Sequence, residues 1–131
     1  MSGLNFKKEF DLNFDDAVVK ISAALKERGF SILTTIDFSG KMKEKLDKDI
    51  PQLVILGACN PHLAFEAYSM NSDVTSLMPC NAVVRQLVPG RVSIELIKPT
   101  KMMEMVGDDH LVQLAQEADQ ILSDALNGLS H

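Results

Sequence analysis

The amino-acid sequence predicts an α+β domain in which helices pack on one face of a mainly antiparallel sheet. Segments with the period-two pattern of strands alternate with segments at helical spacing, in the order strand, helix, strand, helix, strand, helix, hairpin, helix. Pro89-Gly90 predicts a tight hairpin between the last two strands, which argues against a purely parallel sheet. No Gly-rich phosphate-binding loop follows the first strand.

The first strand and first helix have the clearest patterns. Apolar and polar residues alternate over residues 4–10, which is typical of a half-buried strand. Residues 14–28 then place apolar side chains at helical spacing. Asn13 can cap the start of this helix, and Gly29 suits the left-handed conformation that often follows a helix.

Residues 30–37 are predicted to form the second strand, followed by a short polar helix. The residues expected on one face of this strand are Phe30, Ile32, Thr34 and Ile36. The polar helix is predicted to begin at Ser39, with Met42 and Leu46 as its only buried side chains.

A continuous apolar run over residues 52–59 predicts a central strand. Asn60 and Pro61 have the residue types favoured at the N-cap and first turn of a helix, which we expect to extend to about Met70. Asp73 can cap one further short turn.

The C-terminal part is predicted to contain two strands over residues 80–88 and 91–97, and then two helices. Pro99 can begin a short helix, and Asp108 or Asp109 can cap the last one. The apolar stripe of the last helix consists of Leu111, Leu114, Ala115, Ala118, Ile121, Leu122 and Ala125.

Composition predicts one globular domain over residues 1–131. The hydrophobic fraction is 46% and the charged fraction 24%, which suits a packed core rather than a disordered chain. The net charge of −5 argues against nucleic-acid binding, because that function depends on clustered cations. The densest basic stretch, residues 41–48, is interleaved with acidic residues and is interpreted as a solvated helix face.

The sequence predicts a cytoplasmic protein that does not bind membranes. The first ten residues, MSGLNFKKEF, lack an apolar run of signal-peptide length. The longest apolar stretch, residues 53–59, is too short to cross a bilayer. In a reducing compartment, we do not expect the two cysteines to form a structural disulfide.

Two Cys-Asn segments are the most unusual local features of the sequence. Cys59 is expected just outside the N-terminus of the helix capped by Asn60, where backbone N–H groups favour a negative charge. His62 would lie in the first turn of that helix. Cys80 and Asn81 repeat the dipeptide at the start of the next strand, so the two thiols could approach each other if the strands pair.

The leading hypothesis is a homodimeric domain that binds a small molecule or an anion. Its candidate binding residues are Cys59, Asn60, Pro61, His62, Cys80 and Asn81. A thiol-dependent redox or metal-binding protein that uses Cys59, His62 and Cys80 is the first alternative. A purely structural dimerisation module, with both cysteines simply buried, is the second.

No cofactor, metal ligand or catalytic residue is assigned from the sequence. Neither cysteine has a C-x-x-C partner, and no nucleophile elbow, H-E-x-x-H or Walker-type loop occurs. Met102, Met103 and Met105 could suggest soft-metal binding. Because no His or Cys is near them in sequence, we interpret them as core or interface packing.

Several segments together resemble the family called domain of unknown function 302. The most specific are residues 55–61 (ILGACNP) and 79–84 (PCNAVV), accompanied by Gly29-Phe30, Thr35-Ile36-Asp37 and Lys43-Glu44-Lys45-Leu46. The resemblance covers about residues 4–98. It implies a curved antiparallel sheet with packed helices, related to the TATA-binding-protein-like architecture, and a homodimer. It implies no activity, and places the family signature at Cys59, Asn60, Pro61, Cys80 and Asn81.

Overall fold

A computed structural model describes residues 3–129, which form five strands, five α-helices and one 3₁₀ helix. In chain order these are β1 (Asn5–Phe10), α1 (Phe14–Glu27), β2 (Ser31–Asp37), α2 (Phe38–Leu46), β3 (Leu53–Cys59), α3 (Pro61–Met70), the 3₁₀ helix (Ser72–Leu77), β4 (Cys80–Val88), β5 (Arg91–Ile97), α4 (Pro99–Glu104) and α5 (Asp109–Asn127). The strands make one sheet in the order β1-β5-β4-β3-β2, with every neighbouring pair antiparallel. The predicted α+β class and element order are confirmed.

The main core lies between one face of the sheet and the helices α1 and α5. Alternate residues of the central strands point into it, because successive side chains of a strand face opposite sides. These residues are Val54, Leu56 and Ala58 of β3, Ala82 and Val84 of β4, and Val92, Ile94 and Leu96 of β5. They pack with Ala17, Ile21 and Leu25 of α1 and with Ala118, Leu122, Ala125 and Leu126 of α5.

The ends of α1 follow the local sequence signals. The Asn13 side chain accepts a hydrogen bond from the backbone N–H of Asp16 at 2.8 Å, which satisfies one free donor of the first turn. Gly29 has a φ of 86°, the left-handed conformation that ends many helices. Both predictions are confirmed.

The predicted common face of the second strand is wrong, because β2 contains a bulge. The register with β3 shifts between Ile32 and Thr34, so one extra residue changes the direction of every later side chain. Ile32 lies opposite Ala58 and packs against the helix-covered core. Thr34 and Ile36 face the other side of the sheet, and Ile36 is 47% exposed.

The predicted start and buried anchors of α2 are also wrong. The helix begins at Phe38, and the Asp37 carboxylate accepts a hydrogen bond from the Gly40 backbone N–H at 3.0 Å. The Ser39 hydroxyl instead accepts from the backbone N–H of Leu53 at 3.1 Å, which ties α2 to β3. No α2 residue is buried, and Leu46 is 61% exposed.

The predicted cap of the 3₁₀ helix is wrong, whereas one of the two predicted caps of α5 is confirmed. The Asn71 side chain accepts from the Asp73 backbone N–H at 2.9 Å, so Asn71 caps the 3₁₀ helix and the prediction of Asp73 is wrong. Asp108 caps α5 by accepting from the His110 backbone N–H at 2.9 Å, which decides between the two predicted aspartates.

The second face of the sheet carries a buried carboxylate. Glu95 is 6% exposed and accepts hydrogen bonds from Arg85 Nε at 3.2 Å and from the Ser93 hydroxyl at 3.1 Å. Lys7 Nζ lies 3.8 Å from the same carboxylate. These three neighbours are aligned by the pairing of β1, β5 and β4.

Within residues 3–129, no helix combines the length and the apolar character needed to cross a membrane.

Candidate functional site

The pairing of β3 with β4 brings the two Cys-Asn segments together. Ala58 lies opposite Cys80, and Gly57 lies opposite Asn81. Cys59 is therefore one residue along the strand from the partner of Cys80. Both cysteines are free thiols, as the sequence predicted, and both line the same cavity.

Because Gly57 has no side chain, Thr34 and Pro79 can approach β3 closely on the second face of the sheet. A Cβ atom at position 57 would overlap with the Thr34 hydroxyl and would lie 2.7 Å from Pro79 Cγ. Only glycine leaves room for both side chains. The glycine of the Gly-Ala-Cys-Asn-Pro segment is therefore required for packing.

The N-terminus of α3 has the predicted cap. The Asn60 side chain accepts from the Leu63 backbone N–H at 3.2 Å, and Pro61 occupies the first helical position. Cys59 stands directly before this cap, as predicted. The Asn60 side chain is committed to the helix end and also borders the cavity.

The structure brings three of the six candidate residues to the cavity and leaves three outside it. Cys59, Asn60 and Cys80 line the cavity, whereas Pro61, His62 and Asn81 are exposed and do not. His62 therefore lies outside the arrangement of the two thiols. Glu66, one helical turn after His62, is exposed as well.

The cavity is almost entirely apolar and partly open to solvent. Its volume is about 70 Å³. The walls come from the end of β3, the start of β4, α3, the 3₁₀ helix, α4 and α5. Apolar walls with few polar groups are typical of a small-molecule site.

The thiols in this cavity are weakly acidic. Burial raises the pKa of Cys80 to about 12, and the nearby Cys59 and Asp119 add to the shift by like-charge repulsion. Burial also raises the pKa of Cys59. Both thiols are thus protonated at neutral pH, which is the opposite of what a nucleophilic cysteine requires.

The lining also lacks the groups that would hold an anion or a hard metal ion. Among the described residues, no Lys, Arg or His borders the cavity. No group of three or more His, Cys, Asp or Glu side chains suited to a metal ion occurs in residues 3–129. The chemistry offered by the cavity is that of apolar surface, one amide and sulfur atoms.

Sequence reasoning missed the C-terminal walls of the cavity. Met102, Met103, Leu111, Leu114 and Ala115 all line it. The apolar stripe of α5 was visible in the sequence, but a stripe does not tell which element it will contact. Met102 and Met103 were assigned to packing, and they do pack in a second hydrophobic cluster with Ala67, Val74 and Leu111.

Comparison with known proteins adds a family and a solved structure. The family model described as "Domain of unknown function DUF302" matches residues 6–129. A crystal structure of an uncharacterized conserved protein DUF302 from Bacillus stearothermophilus is 27% identical in sequence and superposes with a TM-score of 0.88. The match covers 95% of this chain and 96% of that chain. A comparison with curated protein sequences finds no match.

Proposed function

This chain belongs to the family of domains of unknown function DUF302, and we propose that it binds a neutral, largely apolar small molecule in the cavity beside Cys59 and Cys80. The observation that carries the proposal is the lining of this cavity. Its walls are mostly apolar and sulfur-containing side chains with a single side-chain amide, the composition typical of a small-molecule site.

The electrostatics favour a neutral ligand over an anion. A bound anion needs a cation or a set of free N–H donors, and the described lining residues include no cation. The Asn60 side chain already accepts from Leu63, at the helix end that would otherwise attract a negative charge. The raised pKa of both thiols keeps them neutral, so they do not oppose an apolar ligand.

The composition of the cavity lining also favours the binding of ligands that differ in shape. Met78, Met102 and Met103 contribute flexible, polarizable side chains, which can repack around ligands of different outline. Ala64, Ala67, Ala115 and Ala118 leave the space that larger residues would fill. The two thiols and the Asn60 amide provide the few polar groups that could orient a ligand.

A binding experiment with a filled-cavity variant tests this proposal. Neutral aromatic compounds from benzene to naphthalene in size are titrated into ¹⁵N-labelled protein and followed by amide chemical shifts and by the melting temperature. We expect saturable binding by the wild type, because a ligand that binds only the native state raises its stability. Ala64→Leu, which puts a larger side chain in the cavity lining, is expected to weaken binding at least tenfold.

Ala23→Leu is the matched control, because Ala23 is an exposed residue of α1 that does not line the cavity. It should leave binding unchanged. The proposal is wrong if no compound of the series binds saturably to the wild type, or if Ala64→Leu binds as tightly as Ala23→Leu.

We also propose that two copies of the chain associate through the outer edge of β2. This strand is at the end of the sheet, and its exposed Leu33 (62%) and Ile36 (47%) give the edge an apolar character. Residues 31–36 carry no charge, so two copies can meet there without the repulsion expected from a net charge of −5. Antiparallel pairing of the same strand in both copies has the two-fold symmetry of an isologous dimer.

Sedimentation velocity at several protein concentrations tests this dimer. Leu33→Lys places a charge on the edge strand and is expected to shift the protein to the monomer. Val19→Lys, at a position of α1 that is 67% exposed, should leave the dimer intact. A monomeric wild type, or a dimer that Leu33→Lys does not weaken, would rule out this association. A dimer without any ligand binding would instead favour the structural dimerisation module.

A further inference from the structure

Helix α3 forms a wall of the cavity but buries little apolar surface of its own. Among its residues only Ala67 is buried, whereas α1 buries three residues and α5 buries six. The larger apolar side chains of α3 face solvent: Phe65 is 69% exposed, Tyr68 50% and Met70 45%. Because packing of an apolar face supplies most of the stability of a helix in a protein, α3 is held more weakly than α1 or α5.

Polar contacts do not compensate for this small buried area. Within residues 3–129, no salt bridge or side-chain hydrogen bond joins α3 to another helix or to a strand. The Ser69 hydroxyl donates to the Phe65 carbonyl of the same helix. Helix α4 differs, because Thr100 donates two hydrogen bonds to Asp119 of α5. The cavity therefore has one wall that is fastened to its neighbour and one that is not.

Both ends of α3 are connected to parts of the chain that are firmly packed. Strand β3 precedes it with the buried Ala58, and the 3₁₀ helix follows it with the buried Val74. The connecting residues, Asn60 and Asn71, have extended backbone conformations. Residues at the ends of elements are the usual places where a backbone bends during local movements. The small buried area of α3 makes such a movement possible without unfolding the elements on either side.

We propose that α3 is the moving wall of the cavity and that its outward movement admits the ligand. Leu63, Ala64 and Ala67 line the cavity, so the apolar space opens to solvent when α3 moves away. The sheet, α1 and α5 stay in place because they share the main core. This inference rests on the proposed function for the identity of the ligand, whereas the movement itself belongs to the ligand-free protein.

Hydrogen exchange of the ligand-free protein tests the movement. The amides of residues 65–70 should exchange at least about 100-fold faster than the most protected amides of α1 and α5, because a local opening exposes them without global unfolding. The measurement is made residue by residue by NMR on the full ¹⁵N-labelled chain. If α3 is protected as strongly as α1 and α5, the proposal is wrong, whether or not a ligand binds.

A bound ligand distinguishes opening of the cavity from simple fraying of a surface helix. The tightest-binding compound of the benzene-to-naphthalene series should slow the exchange of α3, because the closed wall holds the ligand and opening requires its release. Helix α2 is the internal control, since it buries no residue and does not line the cavity. Its exchange should not change. Equal slowing of α2 and α3, or no slowing of α3 by a compound that binds, would overturn the proposal.

Glu66→Gly tests the connection between this movement and ligand entry. Glu66 is exposed in the middle of α3 and does not line the cavity, and glycine there weakens the helix. The exchange of α3 and the rates of ligand association and dissociation should all rise about threefold, with the Kd nearly unchanged. Glu117→Gly is the matched control, because Glu117 is exposed on α5 and also lies outside the lining. It should leave the association rate and the exchange of α3 unchanged.

The movement of α3 and the binding of an apolar molecule can fail separately. If no aromatic compound binds, the proposed function is wrong, and the exchange of the ligand-free protein still decides whether α3 moves. If a compound binds but Glu66→Gly changes its association rate no more than Glu117→Gly does, the ligand enters by another route. The proposed function would then stand, and the role of α3 as the moving wall would be wrong.

Discussion

The Asp119 carboxylate of α5 accepts two hydrogen bonds from Thr100 of α4, one from its backbone N–H at 3.0 Å and one from its hydroxyl at 2.7 Å. The N-cap residue of α4, Lys98, provides no side-chain cap. Asp119 thus supplies from another helix the acceptor that a cap residue normally provides. This contact holds α4, and with it Met102 and Met103, against the cavity.

Asp119→Ala should destabilise the protein by about 1–2 kcal/mol, the usual effect of losing a helix cap. It should also weaken binding in the cavity, because α4 forms one of the walls. Urea unfolding and the aromatic-compound titration measure the two effects. Asp124→Ala is the control, since Asp124 is exposed and its carboxylate accepts a hydrogen bond from the Gln120 side chain of the same helix. Equal stability of the two variants would contradict the capping role.

Gly57→Ala should be more damaging than a surface substitution, by about 2 kcal/mol or more, because the added methyl group overlaps with Thr34 and crowds Pro79. The free energy of unfolding in urea is the measurement. Thr34→Ala in the same chain removes one of the two obstacles and should restore part of the loss. If the double variant is no more stable than Gly57→Ala, the steric explanation is incorrect.

The raised pKa of Cys80 predicts a loss of stability at high pH. The unfolded thiol loses its proton near its ordinary pKa of 9.0, whereas the folded thiol keeps it until about 12. Stability from this group is present below pH 9 and falls between about pH 9 and 12, by at most about 1.4 kcal/mol per pH unit. Unfolding experiments at pH 8 and pH 10 should show a smaller decrease for Cys80→Ala. The same decrease in both proteins would exclude Cys80 as its source.

Alkylation rates should separate the two cysteines. At pH 7.5 we expect iodoacetamide to modify Cys59 more slowly than in the unfolded chain, and Cys80 only after unfolding, because burial raises the pKa of both thiols. Peptide mass spectrometry assigns each modification, and urea-unfolded protein is the control. Faster labelling of Cys59 in the folded protein would instead support the thiol-dependent alternative.

Glu95 predicts an acid-sensitive contribution to stability. Burial alone would raise the pKa of Glu95, but hydrogen bonds and charge from Arg85, together with Ser93 and Lys7, outweigh it and lower the pKa below its ordinary value of 4.5. The contribution is present above pH 4.5 and disappears as the pH falls through the folded pKa. Glu95→Gln should therefore lose more stability at pH 7 than at pH 3, measured by urea unfolding. Glu104→Gln, at an exposed position, should be nearly neutral at both.

Local signals predicted the elements and caps well, because they depend on neighbouring residues. Asn13 and Asn60 cap the helices that follow them, and Gly90 completes the β4–β5 hairpin with a φ of 84°. The Cys-Asn segments also correctly predicted the end of the sheet at which the cavity lies. For the same reason, the strand pattern of residues 30–37 could not reveal a bulge, which depends on the register with β3.

The cavity could be predicted only in part, because its walls are set by tertiary packing. Cys59, Asn60 and Cys80 were proposed from sequence, and His62 was included because it was expected in the first turn of α3, close to Cys59. A position in the first turn of α3 does not determine which way the side chain points. Met102 was not predicted to line the cavity, because it is far in sequence from both cysteines.

Because of the bulge at residues 32–34, the number of residues in β2 determines on which face of the sheet its later side chains lie. Ile32 packs on the helix side, whereas Ile36 and the side chain of Thr34 beside Gly57 belong to the other face. Deleting Leu33 would put the strand back into simple alternation and would exchange the faces of the residues that follow. Related chains should therefore tolerate changes of residue type at position 33 more readily than a change in the number of residues.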